Sequence, residues 1–337
     1  HYRTLAELVG KARQQKRGKG TIFKDVQEVG EAISMDTFSA PKENIGIAGI
    51  TNATIVEDKV SDLVKVFFHA NHSKDSVDLP TMKAILDTVI THYKNHGKSP
   101  KQLRVDQLPA WKGSHLKTNH NDFTTYAAAK GIEATTSSAR SSQQNLSESS
   151  MRTLFQVVTS FYINAKSHYG NEIIQPSIWP VLFSYAAEVI NARPKQGETD
   201  SPHKKFYGYD HHISHFHPPL CPVAILNPKI GNNNTIARDD INHKFTDKAT
   251  MGLFAGYPQN SSGYRIWIPS RDGKGGSFRI SEHVVFDDSF STAKYFTDKF
   301  TNGSDSTITM SDLNQQWLKD CNISIQESFS AFHSSIS

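Results

Sequence analysis

The sequence predicts an α/β protein, a mixed sheet flanked by helices, with a small C-terminal β-rich domain. Three observations predict it. Apolar runs of strand type and of helical spacing alternate in the order βββ, α, β, α, β, α, α over residues 29–190, the order that places helices against a sheet. After residue 250 the texture changes to short aliphatic and aromatic runs separated by Gly, Asn and Asp. The chain also has 337 residues, 37% hydrophobic and 21% charged, enough for one large core or two modest ones.

Each element has its own signal. Residues 29–38, with Ile33, Met35 and Phe38, read as a strand, and residues 54–69 hold enough Val, Ile, Leu and Phe for one or two more in a hairpin or meander. Asp78 offers an N-cap with Pro80 close behind, and Met82, Ile85, Leu86, Val89, Ile90 and Tyr93 recur at helical spacing until Gly97. Residues 101–108 form the next strand, with Asp106 near its end. Residues 122–130 read as a short helix stopped by Gly131, which leads into an extended 132–137. Residues 133–150 are Ser-rich and read on composition as linker. Against that, Met151, Leu154, Phe155, Val158 and Tyr162 share one face, so a helix begins near Ser147 with Glu148 in its first turn. Residues 178–190 are a further apolar helix, and residues 194–248, dominated by Pro, His and Asn, read as loop. Three short strands follow at 252–257, 264–269 and 277–286.

Composition excludes several classes. The only cysteines, Cys221 and Cys321, support neither a disulfide framework nor a four-cysteine zinc site. No window approaches 18 consecutive apolar residues, which argues against a membrane span. The basic start has no hydrophobic h-region, and the protein is expected to be soluble and intracellular. The net charge of +4 is unevenly placed: residues 1–24 carry seven Lys or Arg and one Glu. Lys11, Arg13, Lys16, Arg17 and Lys19, interleaved with Gly, read as a solvated arm or, more sharply, as a polyanion-binding one.

Three carboxylates stand out. Asp36 lies within an apolar strand, Asp106 ends another, and Glu148 opens a helix behind a Ser-rich loop. A carboxylate on a buried strand is costly unless paired, hydrogen-bonded or bound to a cation. Three such groups at one point repel one another, and hard divalent cations relieve that. Two ions about 4 Å apart would activate a hydroxyl and stabilise a leaving oxygen in phosphoryl transfer. Spacing alone does not single out this triple.

The flanking residues do more. Ser34-Met35-Asp36-Thr37, Val56-Glu57-Asp58-Lys59, Leu103-Arg104-Val105-Asp106, Gly131-Ile132, Ser142-Gln143-Gln144-Asn145-Leu146-Ser147-Glu148 and Arg152-Thr153-Leu154 resemble the integrase core of copia-type long-terminal-repeat retrotransposons. Ile178-Trp179 through Asn191-Ala192-Arg193-Pro194, and Ser201-Pro202 with Phe206-Tyr207-Gly208, are similar to later motifs of that family. Gly252-Leu253-Phe254-Ala255-Gly256-Tyr257, Gly263-Tyr264-Arg265-Ile266-Trp267 and His283-Val284-Val285-Phe286-Asp287 resemble its closing block. The resemblance covers roughly residues 16–289.

It implies a basic arm at 1–28, a ribonuclease-H-like catalytic core at 29–200, a connector at 201–250, a small β-barrel-like domain at 251–290 and a polar tail at 291–337. Asp36 and Asp106 would hold one Mg²⁺ or Mn²⁺, and Asp36 and Glu148 a second. The implied reactions are 3′-end processing of a double-stranded DNA copy and transfer of its ends into target DNA. The implied setting is a homo-oligomer working in the nucleus after a cytoplasmic particle stage. Candidate phosphate contacts are Lys11, Arg13, Lys16, Arg17, Arg104, Lys112, Lys117, Arg140 and Arg152.

The chain also departs from the family. The two-His, two-Cys zinc module is missing from this sequence, so no zinc is expected. Gln107-Leu108 replaces the usual Asn-Gly, Ser149 replaces the usual Arg, and an insertion around residues 109–121 lengthens the interval between Asp106 and Glu148. A catalytically silent nucleic-acid-binding descendant, or a nuclease or transposase on the same core, is therefore the alternative. His203, His211, His212, His215 and His217 have workable metal-ligand spacings but sit in a variable Pro-flanked segment. No Gly-x-Ser-x-Gly elbow marks a nucleophile, and Gly273-Lys274-Gly275-Gly276 reads as a hairpin turn.

Overall fold

The computed structural model describes residues 26–70, 79–105, 116–136, 146–170, 173–213, 216–226, 249–258, 262–269 and 276–294. The first sheet contains β1 (Ala32–Ser39), β2 (Asn52–Asp58), β3 (Val64–His69), β4 (Gln102–Val105) and β5 (Glu133–Thr136). Its strand order is β3-β2-β1-β4-β5. The β1–β2 and β2–β3 pairs are antiparallel, and the β1–β4 and β4–β5 pairs are parallel. This is the expected ribonuclease-H-like mixed sheet. The parallel pairs need crossovers, and helices supply them.

Those helices are α1 (Leu79–Asn95), α2 (Leu116–Ala129), α3 (Leu146–Tyr169) and α4 (Trp179–Ala192), followed by the short α5 (Pro202–Tyr207). Strand alternation sends Ile33, Met35 and Val56 to one face, where they pack with Leu86 and Val89 of α1 and Phe123 of α2. Ala53, Ile55 and Phe68 face the other side, against Leu154 and Val158 of α3 and Phe183 of α4. Every residue of β2 is buried because both of its faces are covered. Phe38, Phe155, Trp179 and Phe183 form an aromatic cluster on the α3 side, with ring centroids 4.9–5.6 Å apart. A fully buried side chain of this size contributes about 1.5–3 kcal/mol.

The second sheet has the order β10-β6-β7-β8-β9, from β6 (Pro222–Leu226), β7 (Ala249–Phe254), β8 (Tyr264–Pro269), β9 (Gly276–Ser281) and β10 (Val284–Phe286). All its pairings are antiparallel. It shares one apolar cluster with α3 and α4, through Val223, Leu253, Phe254 and Trp267. The Tyr169 hydroxyl donates to the Leu220 carbonyl at 2.8 Å, and the Tyr185 hydroxyl to that of His217.

Three features differ from the sequence expectation. Helix α2 begins at Leu116 rather than at residue 122, so part of the expected insertion is helical. The stretch read as loop contains α5 and β6. The strand expected at 277–286 is two strands, β9 and β10, parted where the Ser281 hydroxyl accepts from the His283 N–H at 3.2 Å. Asp78 and residues 106–108 lie outside the described residues.

Candidate active site

Asp36 lies on the central strand β1. The period of two that buries Ile33 and Met35 against α1 and α2 turns Ser34, Asp36 and Phe38 toward α3. Asp36 is only 9% exposed. Its Oδ1 accepts the Thr37 N–H at 2.8 Å.

Met35 and Val105 stand opposite each other in the parallel β1–β4 pair. Asp36 follows the first of these in the chain and Asp106 follows the second. Asp106 itself lies outside the described residues.

The third candidate, Glu148, is in the first turn of α3, where the positive end of the helix dipole favours a carboxylate. Its side chain is outside the described set; the described part of its helix lies against β1 and β2. Ser150, two residues on, hydrogen-bonds the side chain of Glu57, which pairs with Ser34 of β1. Phe155 packs on Phe38 with ring centroids 4.9 Å apart. The first turns of α3 therefore run along β1 from the level of Ser34 to that of Phe38, and Asp36 lies between. No group of three metal-ligating side chains occurs among the described residues.

Glu57 is a residue that sequence reasoning missed. It is 2% exposed, and its Oε2 is buried with no hydrogen-bond partner. Desolvation pushes its carboxyl up to about 8. Lys195 opposes that shift from 4.0 Å, but its ammonium is closer to Asp62, at 2.7 Å. The signal was a Glu inside a strand whose every neighbour is buried. Next to it, Asp58 is structural: it accepts from Gly30 N, Ser61 N and Ser61 Oγ, each at 2.7 Å, and closes the turn into β3.

The candidate phosphate contacts divide. Arg104 is 4% exposed on β4 between β1 and β5, so a DNA backbone cannot approach it, and that expectation is corrected. Sequence reasoning treated it as a flank of Asp106, whereas both faces of β4 are covered. Arg152 is half-buried on α3, one turn beyond Glu148. Lys117 is in the first turn of α2. Lys11, Arg13, Lys16, Arg17, Lys112 and Arg140 lie outside the described residues.

Several of the motifs that carry the resemblance have structural roles. Asn191 grips β3, with Nδ2 donating to Val64 O at 2.7 Å and Oδ1 accepting from Val64 N at 2.8 Å. Ser201 caps α5 by accepting from Lys204 N at 3.1 Å, Pro202 opens the helix, and Gly208 ends it at φ +85°. Of the histidines, His203 and His211 have ring centroids 4.7 Å apart, while His217 pairs with Asp288 at 2.9 Å. Among the described residues no helix is long and apolar enough to cross a membrane.

Residues 235–298 match the retroviral polymerase SH3-like domain family, a span that encloses β7 to β10. No curated protein matches the chain. Among solved structures, the chain is similar to one in the simian T-cell lymphotropic virus intasome in complex with PP2A regulatory subunit B56 gamma. The two are 11% identical over 83% of this chain and 86% of that one, with a TM-score of 0.41. It is also similar to the catalytic core domain of BIV integrase, at 12% identity over 52% of this chain and 93% of that one, with a TM-score of 0.33. The five-stranded mixed sheet is thus followed by a segment that matches the retroviral polymerase SH3-like domain family.

Proposed function

We propose that this chain is the integrase of a copia-type long-terminal-repeat retrotransposon, a polynucleotidyl transferase that processes the 3′ ends of element DNA and joins them to target DNA. The observation that carries this reading is the placement of Asp36. It follows the residue paired with Val105 on β4 and lies beneath the first turns of α3. The family match of residues 235–298 supports it from the other end of the chain.

The donor set fits hard cations, since Asp36, Asp106 and Glu148 offer only carboxylate oxygens. Asp36 and Asp106 would hold one Mg²⁺ or Mn²⁺, and Asp36 and Glu148 the other. When bound, such ions lower the pKa of water and stabilise a leaving oxygen. The protein's own groups do the positioning. The pairing of Met35 with Val105, the residues just before the two aspartates in the chain, and the position of Glu148 in the first turn of α3 support this reading. Arg152, Lys117, Lys112, Arg140 and the basic residues Lys11, Arg13, Lys16 and Arg17 contact phosphates. The partners are double-stranded DNA and further copies of the chain, and the site of action is the nucleus.

A joining assay with Mg²⁺, a double-stranded oligonucleotide and a plasmid target tests the proposal. Wild type joins the two DNAs, and Asp106→Asn joins them roughly a hundredfold less. Equal joining by both proteins overturns the site assignment. Gln107-Leu108 and Ser149 beside the site favour a second reading, a silent DNA-binding descendant. DNA binding without joining or cutting supports that reading, and cutting without joining supports a nuclease.

A further inference from the structure

A cleft of about 490 Å³ opens between the segment after α5 and the second sheet, lined by His211, His212, Tyr257, Ser262, Gly263, Tyr264 and Glu282. Its aromatic wall is held rigidly. The Tyr257 and Tyr264 ring centroids are 5.9 Å apart, Phe216 backs Tyr257 at 5.9 Å, and His211 stacks on Phe216 at 5.1 Å. Gly263, at φ +101°, brings the two rims together, because a Cβ there would lie 2.9 Å from the Ser281 carbonyl oxygen.

The charged side chain lining this cleft is acidic. The Glu282 carboxylate takes a hydrogen bond from Ser262. His211 sets its Nε2 3.6 Å from the Glu188 carboxylate, so a second acid stands behind the ring that lines the cleft. The nearby Lys204 is already paired with Asp200 at 3.1 Å and Asp210 at 3.5 Å. Aromatic walls with a carboxylate at the rim suit an ammonium or guanidinium group and repel a phosphate.

The chain carries such groups within reach. Gly30 touches Lys98, whose Nζ lies 5.0 Å from the Phe206 ring centroid. From Phe206 a run of ring contacts, each 4.5–4.8 Å, passes through Tyr207 and His203 to His211. That path is about 25 Å long, and Lys19 is eleven residues from Gly30, a reach of up to about 36 Å. Tethering raises the local concentration of the arm to the millimolar range.

We propose that the cleft formed by Tyr257, Tyr264, His211 and Glu282 is an intramolecular receptor for a Lys or Arg side chain of the basic segment 11–19. Without DNA the arm is parked on the C-terminal sheet, and DNA phosphates compete for the same cations. The inference does not depend on the joining reaction.

Limited trypsin digestion of the full chain, read by mass spectrometry at the bonds after Lys11, Arg13, Lys16, Arg17 and Lys19, tests it. Glu282→Gln, on an exposed turn, should speed cleavage within 11–19 at least threefold. Glu133→Gln, which removes a charge from exposed β5, should not. Equal rates in wild type and Glu282→Gln overturn the proposal, as does equal acceleration by Glu133→Gln. Protection that fades on dilution also overturns it, because a second copy would then be the receptor.

Discussion

Asn191 and Val64 are joined by two hydrogen bonds, 2.7 and 2.8 Å long, that use both main-chain groups of Val64. The side-chain amide at the end of α4 thus does for edge strand β3 what a neighbouring strand would do. It fixes α4, and with it Phe183 and the roof over Phe38, to the sheet that carries Asp36.

Removing that amide leaves a buried donor and a buried acceptor unpaired, each costing about 1–3 kcal/mol. Asn191→Leu should therefore destabilise the protein by about 2–6 kcal/mol in urea unfolding. Asn191→Asp keeps the acceptor, loses the donor and should fall between the two.

Glu57 should make stability depend on pH. Its folded carboxyl is raised from 4.5 to about 8 by burial, so the folded state holds a proton that the unfolded chain releases. Its contribution is fully present below about pH 4.5, declines as pH rises, and is lost once pH passes about 8. Glu57→Gln should flatten the stability profile over that window and raise stability at pH 8 by a few kcal/mol. Parallel profiles for the two proteins would show that Glu57 is ionised in the fold.

Arg265 is 1% exposed, and its Nε and Nη1 have no hydrogen-bond partner. Among the described residues no carboxylate is paired with it, and a desolvated charge so placed costs more than an apolar side chain of similar length. Arg265→Met should therefore leave the thermal midpoint unchanged or raise it, by about 1–4 kcal/mol of stability. A clear fall would mean that the guanidinium has an anionic partner in solution.

The core was legible where one face of an element is apolar and the other is not. Met82, Ile85, Leu86, Val89 and Tyr93 mark α1 by their spacing, and all of them are buried. The start of α2 was hidden because Lys117 to Asn121 is polar throughout. Strand β6 was hidden because five residues after a Pro-rich run show no period, and the partner that makes them a strand, β7, is more than twenty residues away. At the site, Asp36 was legible as a charge inside an apolar strand. Arg104 was misread because both faces of β4 are covered, which no local pattern in four residues reveals. Glu57 was passed over because its isolation depends on α3 and on Lys195, far away in the chain.

The proposed convergence of Asp36, Asp106 and Glu148 on shared metal is tested most directly by titrating Mn²⁺ into the full chain and counting bound ions by electron paramagnetic resonance. The account predicts two ions per wild-type chain and at least tenfold weaker binding in each of Asp36→Asn, Asp106→Asn and Glu148→Gln. Unchanged binding in any one of the three variants would contradict it.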